Sequence, residues 1–141
     1  MRLSITTPRG ALVDADADEF VAPGVLGELG VLPGHVALLS ALRPGVLVYR
    51  TKDHAGTVAL GNGFLEVIPG TEGKPDRALV IVDQAVHAKD VDRAAAEQEL
   101  AAADAAVARW KGDPDGEYHT LLARRAWAQA RADAAARSTQ H

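Results

Sequence analysis

The residues of this chain that could carry chemistry are few and scattered. Its five histidines, at positions 35, 54, 87, 119 and 141, are too far apart for metal-ligand spacing. The chain has no cysteine, and no serine or histidine belongs to a recognisable nucleophile motif. We therefore predict no catalytic residue, no metal site and no cofactor. An enzyme whose active site assembles from distant residues is the less favoured alternative.

Three short motifs approach ligand-binding loops but lack residues that such loops need. "DADADE", residues 14–19, alternates carboxylates, yet Glu19 stands where a calcium loop needs glycine and Val25 where it needs glutamate. "GTEGKPD", residues 70–76, has no serine or threonine after its lysine, and "GNGF", residues 61–64, is no dinucleotide fingerprint. We interpret the first as a solvated strand face and the other two as turns.

A protein-binding surface is predicted for "APGVLGELGVLPGHVALL", residues 22–39. Four glycines and two prolines lie among apolar residues, and only Glu28 and His35 ionise readily. Glycine and proline hold a loop in a fixed shape with little protruding side chain. An apolar loop of this kind can lie flat against another protein.

The elements that position this loop differ between the two halves of the chain. Up to about residue 88, short runs rich in Val, Leu and Ile are bounded by Gly, Pro or Asp, and no helix-length pattern lies between them. This pattern predicts an all-β N-terminal domain over residues 1–88, an antiparallel sandwich or barrel, and we favour the sandwich. The runs are "RLSIT", "GVLVYR", "GTVAL", "GFLEVI" and "ALVIVD".

Residues 89–141 are predicted to form a C-terminal α-helical hairpin. Alanine replaces glycine from Asp90 onward, and "GDPDG", residues 112–116, separates two helical runs of about 90–111 and 117–137. Such a short connection joins antiparallel neighbours. The first run has an apolar seam at helical spacing: Ala96, Leu100, Ala103, Val107 and Trp110.

The second helix is predicted to dock weakly at its end. Tyr118, Leu121, Leu122 and Trp127 lie in its first half, and beyond Trp127 its only apolar residue is alanine. Burying a leucine-sized side chain contributes about 1.5–3 kcal/mol, and an alanine methyl far less. We expect the last turns to be the least anchored.

Composition sets the class of protein. The chain has 141 residues, 48% hydrophobic and 24% charged, which predicts one ordinary globular domain or a smaller core with an appendage. Its net charge of −4 argues against nucleic-acid binding. We see no apolar run of 18 residues and no charged-then-apolar leader, so we expect a soluble cytoplasmic protein without direct membrane insertion.

Three blocks carry a family resemblance: "FVAPGVLGELGVLPGHVALLSALRPGVL" at 20–47, "GNGFLEV" at 61–67 and "DQAVHAKDVD" at 83–92. The chain resembles the epsilon subunit of bacterial F-type ATP synthases. The resemblance implies a non-catalytic rotor subunit, peripheral on the cytoplasmic face of the inner (plasma) membrane. Its sandwich would bind the gamma subunit and the c-ring. Its hairpin would lie folded, or extend into the alpha/beta catalytic head and inhibit ATP hydrolysis.

The resemblance also implies roles for individual residues. By position in the first block, Glu28 would face the c-ring and His35 the junction of gamma and ring. Alternatively, Glu28 is a solvated turn carboxylate and His35 is hydrogen-bonded within its own loop.

Basic residues on the second helix suit the acidic loop of the beta subunits that the family's extended form meets. Arg124 and Arg131 share one helical face, and Arg125 adjoins them. The first helix is acidic on balance and the second basic, so the same arginines could instead hold the hairpin together.

Some members of the family bind ATP in the folded hairpin, and an ATP-sensing regulatory module is our alternative function. Asp92 and Arg125 match the nucleotide-binding pattern of those members. Ala95 and Gln129 stand where the pattern has arginine. We therefore expect ATP to bind poorly.

Overall fold

Alternating side chains build the sandwich. In the strand Gly63–Ile68, Leu65 and Val67 are buried while Phe64 and Glu66 face outward, the period of two that a half-buried strand requires. The computed structural model describes residues 1–138. Within them, the strands are β1 Arg2–Thr7, β2 Gly10–Asp16, β3 Glu19–Gly24, β4 Gly27–Val31, β5 Leu38–Leu42, β6 Gly45–Arg50, β7 Ala55–Leu60, β8 Gly63–Ile68, β9 Arg77–Val82 and β10 Ala85–His87.

The strands run in the order β10-β7-β6-β3-β5-β8-β9-β1-β2, and β4 pairs with β3. The sheet folds over a core whose largest fully buried side chains include Phe20, Leu3, Ile5, Leu47 and Leu60. The predicted all-β sandwich is confirmed. The expectation of antiparallel strands fails at one pair, because β1 and β9 are parallel, with Leu3 opposite Ala78 and Ile5 opposite Val80.

The C-terminal helices are α1, Arg93–Ala108, and α2, Gly116–Ser138, after a short 3-10 turn at Ala88–Asp90. The predicted hairpin is confirmed, but its boundaries differ. Asp92 begins α1 as its N-cap, since its carboxylate accepts the Ala95 N–H at 3.0 Å. The helix ends before Arg109, so the connection covers 109–115 rather than 112–116. Asp115 caps α2 by accepting the N–H of Glu117 at 3.0 Å.

The docking of α2 reverses the prediction about its ends. The first turns are exposed or half-buried, whereas Ala128, Ala130, Ala132, Ala134 and Ala135 are buried. The helix packs on β6, β7 and α1. Small methyl groups let the helix backbone approach the sheet closely, so the alanine-rich end is the docked end. The expectation that the last turns are the least anchored part of α2 was therefore wrong about their position, although the side chains that dock there are small.

Candidate protein-binding surfaces

The apolar stretch predicted as a loop is largely a β-hairpin of β3 and β4. Phe20 lies opposite Val31, and both side chains are buried and anchor the base of the hairpin. At its tip, Val25 is 52% exposed and Leu26 is 101% exposed. Gly27 has φ +134°, a conformation that favours glycine, where the chain turns into β4. The hairpin thus holds a large apolar side chain entirely in solvent.

Glu28 lies on β4 directly after this tip. Its Cα is paired with that of Pro23, and the residue is exposed. Within residues 1–138, the carboxylate of Glu28 has no hydrogen bond or ion pair. The carboxylate is therefore available to an outside partner, as its predicted ring contact requires, although a solvated carboxylate would have the same surroundings.

His35 follows the hairpin in a tight turn and is half-buried. Its Nδ1 lies 2.8 Å from the carbonyl oxygen of Val36. A carbonyl can only accept, so the Nδ1–H of His35 is the donor. The hydrogen bond within its own loop, which we held as the alternative for His35, is thus present.

A second apolar surface, which the sequence reasoning missed, covers the outer face of β5, β8 and β9. Phe64 lies opposite Ile81, and Leu39 is on the adjoining strand. Their exposed fractions are 58%, 59% and 70%. We call these three residues the outer-face patch. The run "ALVIVD" offered a signal, because a strand with apolar residues on both faces needs cover on both.

Two of the predicted contact arginines pair within the folded hairpin. Arg125 forms an ion pair with Asp104, and Arg131 forms one with Glu99. The Arg131 guanidinium also lies 5.4 Å from the ring centroid of Trp127. These contacts favour the alternative that arginines hold the hairpin together.

Arg124 differs from its two neighbours. It lines the same groove between the helices as Arg131, so the predicted shared face exists. Arg124 is exposed, however, and has no ion pair with any residue in 1–138. It is the arginine of the three that an outside partner can reach without breaking the hairpin.

The doubtful ATP residues are not brought together. Asp92 uses a carboxylate oxygen to cap α1, while Arg125 is paired with Asp104 further along that helix. A cavity of about 420 Å³ between sandwich and hairpin is lined by Asp92 and Ala95, but Arg125 does not line it. Gln129 donates to Asp133 at 2.9 Å instead of facing a ligand.

These features define a two-part protein, in which a β-sandwich with exposed apolar surfaces carries a docked helical hairpin. Residues 1–88 match the family described as ATP synthase, Delta/Epsilon chain, beta-sandwich domain. The chain belongs to this ATP synthase delta/epsilon family.

Relatives extend the similarity into the helices. The chain is 38% identical over 114 residues to the ATP synthase epsilon chain of Synechococcus sp. (strain CC9311), which covers 81% of this chain and 80% of the relative. It is 35% identical over 132 residues to that of Synechococcus sp. (strain RCC307), covering 94% and 93%. The fold is similar to a chain of the Tetrahymena thermophila mitochondrial ATP synthase central stalk/c-ring structure, with TM-score 0.62, 19% identity and 96% of each chain covered.

No helix within residues 1–138 is both long enough and apolar enough to cross a membrane.

Proposed function

We propose that this chain is the epsilon subunit of an F-type ATP synthase, a central-stalk subunit of the rotor without an active site of its own. It binds gamma and the c-ring through its sandwich, restrains ATP hydrolysis through its helices, and is peripheral on the cytoplasmic face of the membrane. Membership of the delta/epsilon family supports the assignment. The observation that carries the binding role is the fully exposed Leu26 on a rigid β-hairpin.

The two apolar surfaces divide the rotor contacts between them. The β3–β4 tip is narrow, and it combines Leu26 with the unpaired carboxylate of Glu28, which suits a ring loop with apolar and polar groups. The outer-face patch is flat, and such an exposed apolar sheet face suits a larger protein surface. We assign the tip and Glu28 to the c-ring and the outer-face patch to gamma. His35 lies in the turn between the two surfaces, near the junction of gamma and ring.

The helical hairpin would restrain ATP hydrolysis. Helix α1 has 16 residues and α2 has 23, so they span about 24 and 35 Å at 1.5 Å per residue. Extended end to end, they would reach about 60 Å toward the alpha/beta catalytic head. Arg124 would then meet the acidic loop of a beta subunit directly, and Arg125 and Arg131 would follow once their pairs with α1 are broken.

ATP sensing is the second candidate and is less well supported. The chain retains Asp92 and Arg125 of the nucleotide-binding pattern, but each side chain already has a partner in the folded hairpin. Leaving those partners would cost free energy that ATP binding would have to offset.

Binding to a purified complex of gamma and c-ring tests the proposal. Leu26→Glu should weaken binding at least tenfold, because it introduces an unpaired charge into an apolar contact. Ala123→Glu adds the same charge to an exposed position of α2 and should bind like the wild type. Equal binding by both variants would show that the β3–β4 tip does not contact the ring. Absence of wild-type binding would reject the assignment as a rotor subunit.

A further inference from the structure

A carboxylate in the loop between β8 and β9 reaches the turn that precedes β5. The Oδ2 atom of Asp76 accepts the N–H of Gly34 at 2.6 Å, and its Oδ1 atom accepts the N–H of Gly70 at 2.7 Å. One side chain therefore joins two loops that are distant in sequence. Both amides favour the ionised carboxylate, Gly70 more than Gly34, and they lower the pKa of Asp76 from its ordinary value.

The backbone of Asp76 is fixed by the sheet. Asp76 directly precedes β9, and its carbonyl accepts the N–H of Arg2 at 2.8 Å where β1 begins. The loop before it is tightly closed, since a Cβ on Gly70 would lie 2.2 Å from the carbonyl oxygen of Lys74. The carboxylate thus extends from a rigid base toward the turn at Gly34.

The turn itself leaves one amide unused. The N–H of His35 donates to the carbonyl of Leu32 at 3.1 Å, and Pro33 followed by Gly34 at φ +86° is the pattern of a type II turn. The turn hydrogen bond does not involve the Gly34 N–H, so this group needs another acceptor. Asp76 supplies it and thereby fixes the turn relative to the sheet.

We propose that Asp76 is a positioning residue for the ring-facing surface. It holds the turn at residues 32–36, which joins the β3–β4 hairpin to β5 and presents Val36, 73% exposed, beside His35. The inference rests on the proposed contact with the c-ring. "GTEGKPD", which the sequence analysis treated as a plain surface turn, is then the support of a binding surface.

The full-length chain allows the hydrogen bonds and the binding to be measured separately. Asp76→Ala removes both acceptors, and Asp76→Asn keeps only one carbonyl oxygen. Glu72→Gln is the matched control, because it removes a carboxylate from the same loop that has no hydrogen bond or ion pair with any residue in 1–138. Amide hydrogen exchange followed by NMR gives the opening of the Gly34 N–H, with Val80 in the core as internal reference.

In Asp76→Ala, we expect the Gly34 amide to exchange at least about tenfold faster, because it loses a charge-assisted hydrogen bond. Exchange at Val80 should stay unchanged, and affinity for the gamma–c-ring complex should fall about tenfold. Asp76→Asn should be intermediate in both exchange at Gly34 and affinity for the complex. If Asp76→Ala does not fold, Asp76→Asn is compared with the wild type instead. Glu72→Gln should match the wild type.

Two results would overturn the inference, and they differ from failure of the proposed function. Unchanged exchange at Gly34 would mean that Asp76 does not hold the turn. Faster exchange with unchanged ring affinity, in a preparation where Leu26→Glu does weaken binding, would mean that the turn does not need to be held. If Leu26→Glu also binds normally, the ring-facing assignment itself is wrong, and the role of Asp76 falls with it.

Discussion

The sandwich and the helical hairpin are held by side chains of very different size. The sandwich core contains Phe20, Ile5 and several leucines and valines at or near zero exposure. The buried residues of the contact between α2 and the sandwich are Val46, Ala59 and Ala88 on one side and Ala130 and Ala134 on the other, and the half-buried Val48, Val86 and Trp127 pack against them. Apolar burial scales with the area removed from water, so each fully buried alanine of the second contact contributes less than a buried leucine of the sandwich core.

This difference suits a protein with one permanent and one reversible part. The hairpin adds two ion pairs between helices, Arg125–Asp104 and Arg131–Glu99, and their acidic partners are about half exposed. Exposed pairs of this kind contribute about 0–1 kcal/mol each. We therefore expect the folded hairpin to be released more easily than the sandwich unfolds.

The largest loss of stability should come from shortening a buried side chain in the sandwich core. Leu65 is fully buried, and Leu65→Ala should lower the free energy of unfolding by about 2–5 kcal/mol. Leu121 on α2 is half-buried, so part of its surface is already in water. Leu121→Ala should therefore lower the free energy of unfolding by less than about 1.5 kcal/mol. Urea unfolding followed by circular dichroism measures both. Equal losses would contradict the contrast between the two regions.

Overfilling the alanine contact should release the hairpin selectively. Ala134 is fully buried against the sandwich, and Ala134→Leu should destabilise the docked state by about 1–3 kcal/mol. Both tryptophans belong to the helical hairpin, Trp110 in the connection after α1 and Trp127 in α2. Their fluorescence therefore reports the state of the hairpin. Ala123→Leu, at an exposed position of α2, is the control. Identical fluorescence and urea midpoints for the two variants would show that α2 does not need the close contact.

A smaller effect is expected at Arg124. Arg124→Glu should raise ATP hydrolysis by the assembled head roughly two- to fivefold at low salt, since an exposed charge contact contributes up to about 1 kcal/mol. Affinity for gamma should not change, and the wild-type restraint should weaken as salt rises. Arg131→Glu is a different experiment, because it replaces the ion pair with Glu99 by two adjacent carboxylates and should destabilise the hairpin itself. Unaltered hydrolysis by Arg124→Glu would exclude this arginine from the restraint.

The smallest signal is expected from ATP itself. The isolated chain should bind Mg-free ATP with a millimolar dissociation constant or weaker, because Ala95 and Gln129 lack guanidinium groups and Arg125 is paired with Asp104. Isothermal titration calorimetry measures this directly. A micromolar constant would favour the ATP-sensing module over the rotor subunit.

Sequence patterns predicted the strands and helices whose formation depends on neighbouring residues in the chain. Short runs rich in Val, Leu and Ile between turn residues identified β1, β6, β7, β8 and β9, and helical spacing identified the seam of α1, where Ala96 and Ala103 are indeed buried. The hairpin of β3 and β4 was missed because Pro23 and its glycines are typical of loops. Proline is tolerated there because it lies in the penultimate position of β3, near the turn.

The remaining features depend on contacts between distant residues. The Gly34–Asp76 hydrogen bond joins residues 42 positions apart, and no motif announces it. The parallel pairing of β1 with β9 likewise follows from the overall path of the sheet. At the end of α2, side-chain size alone predicted weak anchoring, but the close approach that alanine permits is visible only with the sheet in place. The same reasoning left the roles of Arg125 and Arg131 open until their partners on α1 were known.

If the sandwich binds the rotor and the hairpin restrains ATP hydrolysis, truncation after Ala88 should separate the two roles. The fragment 1–88 contains the whole sandwich core and should unfold cooperatively on heating. In one reconstituted ATP synthase preparation, binding to gamma and the c-ring and the rate of ATP hydrolysis can be measured for the fragment and the full chain. We predict equal rotor binding and faster hydrolysis with the fragment. A folded fragment that fails to bind, or one that binds and leaves hydrolysis as low as the full chain does, would contradict the division of roles.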